Sequence, residues 1–89
     1  MRRLIIRVSG KVQGVFYRAS AKNEADRLGV LGVVRNEPNG GVYIEAEGDE
    51  PELSSFVAWC KKGPPRSHIL TFVMEDAPLI GYVGFRIIR

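Results

Sequence analysis

The residues Gly10-Lys11-Val12-Gln13-Gly14-Val15-Phe16-Tyr17-Arg18 combine types that suit the binding of an anion. Glycines frame a short loop, and an arginine stands where a helix should begin. Glycine lets backbone N–H groups turn toward a ligand with no Cβ in the way. A helix N-terminus carries orphan donors and a partial positive charge. An arginine adds a planar fork that can grip a phosphate through paired hydrogen bonds. Between Gly14 and Tyr17 there is no Ser, Thr, Asp or Asn to cap the helix, so its donors are left for a bound anion. The segment reads as an oxyanion cradle.

A further candidate stands near the end of the segment Gly32-Val33-Val34-Arg35-Asn36-Glu37-Pro38-Asn39-Gly40-Gly41-Val42. The Asn36 amide offers an acceptor and two donors, which suits the orientation of a water molecule. The competing reading makes Asn36 a turn residue bonded to its own backbone. Asn39-Gly40 already carries that signal, which leaves Asn36 for function.

The elements that must hold these groups follow from periodicity. Leu4, Ile6 and Val8 alternate with Ile5, Arg7 and Ser9 and predict a strand. From about Arg18, the apolar positions Ala21, Ala25 and Leu28 recur at helical spacing, and Gly29 stops the helix. Val30 to Arg35 is β-branched and apolar, a second strand. Val42, Ile44 and Ala46 alternate with Tyr43, Glu45 and Glu47, a third strand with one wet face. Asp49, Pro51 and Glu52 resemble a capping box opening a helix. Its apolar stripe is Leu53, Phe56, Val57 and Cys60, and Gly63-Pro64-Pro65 ends it. Ile69 to Met74 gives a fourth strand, and Val83, Phe85 and Ile87 belong to a last one. The order β-α-β-β-α-β predicts an α+β class, ferredoxin-like sandwich. It has an antiparallel sheet of four to five strands and two helices on one face. Right-handed crossovers place the first and third strands side by side in the middle. Phe16, Tyr17, Phe56 and Trp59 are expected in or near the core.

The chain has 89 residues and a net charge of +3. A single domain over residues 1–89 is expected. No run approaches the ~18 apolar residues of a membrane span, and the start lacks a signal peptide's apolar region, so a cytoplasmic location is expected. Cys60 is the lone cysteine and His68 the lone histidine. An internal disulfide is therefore excluded, Cys60 reads as a buried hydrophobe, and no zinc site is expected. The basic residues are scattered, which argues against a nucleic-acid patch. Ser20 and Ser67 have no visible base and read as surface hydroxyls.

With both segments in order, the chain resembles the acylphosphatase family from its first strand to Phe85-Arg86-Ile87. Gly10 to Arg18 matches the family's first signature, G-x-V-Q-G-V-x-F/Y-R, at every defined position. Gly32 to Gly48 matches the second, including Arg35-Asn36, Gly40, Val42 and Gly48. Val33 departs from it, standing where the family usually has an aromatic. That change is expected to alter packing around the second strand and to loosen the neighbourhood of Asn36. Trp59 to Pro65 resembles the family's second-helix ending.

The resemblance implies hydrolysis of a carboxyl–phosphate bond, giving a carboxylate and inorganic phosphate, the latter both product and inhibitor. Carried over by position, Arg18 binds the phosphate and Asn36 positions the attacking water. The backbone amides of Gln13, Gly14, Val15, Phe16, Tyr17 and Arg18 form the cradle. Gln13 itself is expected to orient the loop through backbone contacts. The resemblance implies no metal, cofactor or covalent intermediate, and no nucleic-acid or membrane partner. A monomer is the default for this fold.

Rival readings are weaker. The same sandwich hosts RNA-recognition domains, but Glu45 and Glu47 on the third strand would repel phosphates. A non-catalytic sensor of phosphorylated metabolites would keep Arg18 and dispense with Asn36. Similar modules also begin hydrogenase-maturation proteins that use carbamoyl phosphate. A chain that ends with the module is expected to be a free-standing enzyme.

Overall fold

The computed structural model describes residues 1–89. The elements run β1 (Arg2–Lys11), α1 (Tyr17–Leu28), β2 (Leu31–Asn36), β3 (Val42–Gly48), α2 (Glu50–Lys62), β4 (His68–Ala77) and β5 (Phe85–Ile88). They form one five-stranded sheet in the order β4-β1-β3-β2-β5. The first and third strands lie side by side at its centre, as the right-handed crossover rule requires. β1 is antiparallel to β3 and to β4, and β2 to β3. The fifth strand joins β2 in parallel, so the sheet is mixed. This is the ferredoxin-like α+β sandwich with one added edge strand.

Strand alternation decides what each face buries. Leu4, Ile6 and Val8 of β1, Val34 of β2, and Val42, Ile44 and Ala46 of β3 form the helix-facing core. Ala21 and Ala25 of α1 and Leu53, Phe56 and Cys60 of α2 pack onto it. Alanines on α1 let that helix sit close to the sheet. Glycine closes α1 in the left-handed conformation. Gly29 has φ 77, and the Val30 N–H returns to the Ala25 carbonyl at 2.9 Å. The helices are joined by the Tyr17 hydroxyl, which donates to the Cys60 carbonyl at 2.7 Å.

The opposite face is less open than the sequence suggests. β4 and β5 lie at opposite edges of the sheet, so residues 78–84 must cross beneath it. The Glu47 carboxylate anchors that crossing by accepting the N–H groups of Ile80, Gly81 and Tyr82. Arg3 donates to the Pro78 carbonyl at 2.6 Å and pairs with Glu45. The hydroxyls of Tyr43 and Tyr82 also donate to Glu45, at 2.8 and 2.6 Å.

Several sequence expectations change here. The third strand does not have a wet face, because Glu47 is fully buried and Tyr43 nearly so. Val83 lies outside β5 and is exposed, while β4 runs longer than Ile69 to Met74. Asp49 makes no side-chain cap. Its carboxylate instead lies 3.4 Å from the N-terminal amino group. Phe16 is not core at all, being 75% exposed. No helix is long and apolar enough to cross a membrane.

Candidate active site

The loop after β1 is pinned at two positions. Val12 and Val15 are buried in the core, which fixes the ends of the turn between them. Gly10 sits at a bulge near the end of β1, where the β1–β4 register shifts. A Cβ there would lie 2.1 Å from the His68 carbonyl oxygen, so only glycine allows this bulge. Gly14 has φ 73, and its missing Cβ would meet nothing within 4 Å. Glycine serves conformation there, not space.

Phe16 has φ 63 and is the one non-glycine residue with positive φ. For a bulky residue this backbone costs roughly 1–3 kcal/mol, and such strain concentrates at functional sites. Phe16 is also the N-cap of α1, with no side-chain cap. Its carbonyl accepts the Ser20 N–H at 3.0 Å, the first bond of the helix. The N–H groups of Gln13, Gly14, Val15 and Phe16 donate to no backbone carbonyl, and those of Tyr17, Arg18 and Ala19 precede the first intrahelical bond. The strained N-cap therefore starts a helix beneath a run of free donors.

Gln13 fixes this loop against the β2–β3 hairpin. Its Nε2 donates to the carbonyls of Glu37 and Gly41, each at 2.8 Å. The loop is thereby tied to the residue that follows Asn36. Asn39 takes the turn role, its Oδ1 accepting the Gly41 N–H at 2.9 Å.

Arg18 lies in the first turn of α1 and is half-buried. The nearby carboxylates are engaged elsewhere. Glu24 accepts from Arg27 and Asp26 from Lys22, and Arg18 makes no ion pair with either. Arg18 lines a cleft of about 280 Å³ together with Gly14, Phe16, Tyr17, Ile87 and Arg89. No acidic residue lines it.

Asn36 ends β2, paired with Val42 of β3. Its register neighbours Val34, Val42 and Ile44 are core residues, so its side chain shares the helix-facing side of the sheet with the loop. Asn36 Oδ1 is buried without a hydrogen-bond partner. Such groups are rare in folded proteins and call for a partner beyond the chain. Asn36 does not line the Arg18 cleft. Val33 is buried on the opposite face, paired with Glu45, so the sheet separates it from Asn36 and the expected loosening has no direct route.

Tyr17 and Cys60 are structural. Burial, with the bond from its hydroxyl toward Cys60, pushes the Tyr17 phenol up. Burial pushes the Cys60 thiol up as well, which makes it a neutral hydrophobe as the sequence suggested. Among His, Cys, Asp and Glu side chains, no three cluster to hold a metal ion.

The sequence matches the model of the Acylphosphatase family over residues 4–87. The chain belongs to the acylphosphatase family. It is 40% identical to an acylphosphatase of Methylococcus capsulatus over 90 residues, covering 100% of this chain and 98% of that protein. An acylphosphatase of Nocardioides sp. is 52% identical over 80 residues, covering 90% of this chain and 81% of that protein. The crystal structure of acylphosphatase from Bacillus subtilis superposes with a TM-score of 0.96 at 38% identity, over 100% of both chains. Against this family frame, Ile87 and Arg89 are the cleft residues that sequence reading missed. The signal was available, since residues 85, 87 and 89 share one parity and Phe85 is core.

Proposed function

We propose that this acylphosphatase family member hydrolyses the carboxyl–phosphate bond of acyl phosphates. Arg18 and the amides of Gln13 to Arg18 bind the phosphoryl group, and Asn36 orients the attacking water. The observation that carries this reading is the coincidence of an unpaired Arg18 guanidinium with a run of free N–H donors above a strained N-cap. The unpartnered amide oxygen of Asn36 supports its role. Acyl phosphates are already activated, because a carboxylate is a stable leaving group. Phosphoryl transfer then needs positioning and neutralisation of the equatorial oxygens. Preorganised donors supply that without reorganising, at ~3–4 kcal/mol each by analogy with oxyanion holes.

In the proposed step, the water oxygen bonds to phosphorus as the bond to the acyl oxygen breaks. The acyl group leaves as a carboxylate, and both water protons finish on inorganic phosphate. Asn36 is too weak a base to take a proton, so the substrate's own phosphate oxygen accepts it. No metal, cofactor or covalent intermediate enters. The same reading takes residues 1–89 as one domain, monomeric and cytoplasmic, with phosphate as product and inhibitor.

The test is benzoyl phosphate hydrolysis in EDTA by the wild type, Arg18→Met and Asn36→Ala. The wild type is active, and each variant stays folded and loses about 100-fold or more, which is ~2.7 kcal/mol. Full activity in either variant would remove that residue's role. A wild type that binds phosphate without turnover would favour the sensor.

A further inference from the structure

A second arginine, Arg89, lines the cleft beside Arg18. Arg2, Arg3, Arg7 and Arg27 each have a carboxylate partner, and Arg35 stacks on the Tyr43 ring with its guanidinium carbon 4.1 Å from the centroid. Arg18, Arg66, Arg86 and Arg89 have neither kind of partner, and of these Arg18 and Arg89 line one cleft of about 280 Å³. Two arginines on the wall of a cleft that no acidic side chain lines make it attractive to anionic groups.

Topology separates the ends of that cleft. The loop is tied by Gln13 to the β2–β3 hairpin, while Ile87 and Arg89 lie on and just beyond β5, on the other side of β2. Asn36 belongs to β2 and stays outside the cleft walls. In an in-line displacement the attacking water and the leaving group stand on opposite sides of phosphorus. A water held by Asn36 at β2 therefore sends the acyl group out along the β5 side, over Ile87 and the exposed Phe16 ring and toward Arg89.

We infer that Arg89 is a specificity-determining residue, and that this cleft favours acyl phosphates whose acyl part is an apolar segment ending in a second anionic group, a carboxylate or a phosphate. Ile87 and Phe16 cover the apolar segment, and Arg89 pairs with the distal charge. This rests on the assignment of Arg18 to the phosphoryl group. Arg89 acts on substrate choice, not on the bond that breaks.

The experiment compares two substrates of equal size, 4-carboxybenzoyl phosphate and its neutral isostere 4-carbamoylbenzoyl phosphate. The readout is the ratio of their kcat/KM values for the wild type, Arg89→Met and Arg89→Lys. The wild type favours the carboxylate by roughly tenfold, which is ~1.4 kcal/mol. Arg89→Met brings the ratio close to one, Arg89→Lys keeps part of it, and salt near ~1 M collapses the wild-type preference by screening. The proposal is overturned if the wild type shows no preference. It is equally overturned if Arg89→Met lowers both substrates by the same factor, because Arg89 then serves the phosphoryl group. Arg18→Met on the neutral substrate is the separate control. Full turnover there would sink the phosphate assignment, whatever the ratio does.

Discussion

Gln13 donates through Nε2 to the carbonyl oxygen of Glu37 at 2.8 Å, so the anion-binding loop and the strand end that carries Asn36 are held as one unit. The same nitrogen reaches the Gly41 carbonyl. Both carbonyls keep a backbone donor of their own, from Gly40 and Glu37. Removing the amide therefore leaves no buried group without a bond. Gln13→Leu should cost only ~1–2 kcal/mol of stability, about one ordinary hydrogen bond or two. The larger effect should fall on binding, because loop and hairpin would move independently. Urea unfolding together with the KM for benzoyl phosphate checks this. A wild-type KM in a mildly destabilised protein would show that the staple serves the fold alone.

The loop glycines should respond differently to the same change. At Gly14 an added methyl meets open space and only the positive φ objects, so Gly14→Ala should cost ~1–2 kcal/mol. Its rate should fall further than its stability, since the strain can relax by turning the free N–H groups away. At Gly10 a methyl would run into the His68 carbonyl. That atom is backbone within a strand ladder and cannot step aside cheaply, so Gly10→Ala should be the more destabilising. Thermal midpoints of the variants give the order. Equal shifts would mean that the bulge is softer than it looks.

How much of this was legible in the residues depended on whether the cause was local. β1, α1 and the β2–β3 hairpin follow from alternation, helical spacing and Asn39-Gly40, which act over a few residues. The free helix start followed from a missing cap. Glu47 was misread because its burial depends on residues 78–84, which arrive from the far edge of the sheet. A charged residue on an alternating strand reads as wet until a distant segment supplies donors. Phe16 was misread for the opposite reason. Its type says core, but the positive φ at the N-cap turns the ring outward. Parity puts Ile87 and Arg89 on the Phe85 face, but their arrival beside Arg18 depended on a parallel pairing of β5 with β2 that no short-range pattern announces.

Tyr17 closes an end of α2 that the chain cannot close itself. The Cys60 carbonyl would normally accept from the residue four positions on, but that is Pro64, which has no N–H. The Tyr17 hydroxyl takes its place at 2.7 Å. Tyr17→Phe keeps the ring and leaves a buried carbonyl bare, which should cost ~1–3 kcal/mol. Burial first, and then the contact with Cys60, raises the phenol above its ordinary value in the folded state. The folded protein thus holds the proton more tightly than the unfolded chain. That part of its stability is complete below about pH 10 and is lost as pH rises. The variant should show a flatter alkaline limb in urea midpoints measured from neutral to alkaline pH. An unchanged limb would assign alkaline unfolding to another group.

Glu47 sets the acid limit in the same way with the sign reversed. Burial alone would raise its carboxyl, but the N–H groups of Ile80, Gly81 and Tyr82 outweigh burial and hold it below the usual carboxylate range. A carboxylate depressed in the folded state contributes stability above the unfolded value of about 4.3, and loses it as pH falls toward the folded value. Protonation would take the acceptor from the crossing segment, and residues 78–84 should then lift from the sheet before the core opens. Glu47→Gln sets an amide donor against those N–H groups, so it should cost ~2–3 kcal/mol near neutral pH, as for a lost hydrogen bond to a charged group. Its acid slope should also shrink. Some slope should remain, because Glu45 is likewise held low. Burial raises it, but the hydroxyls of Tyr82 and Tyr43 together with Arg3 outweigh that. Hydrogen exchange of residues 78–84, followed as pH falls from 6 to about 3, separates the stages. Exchange there before the β1 amides would establish Glu47 as the anchor. Simultaneous exchange would mean that the crossing segment and the sheet unfold as one.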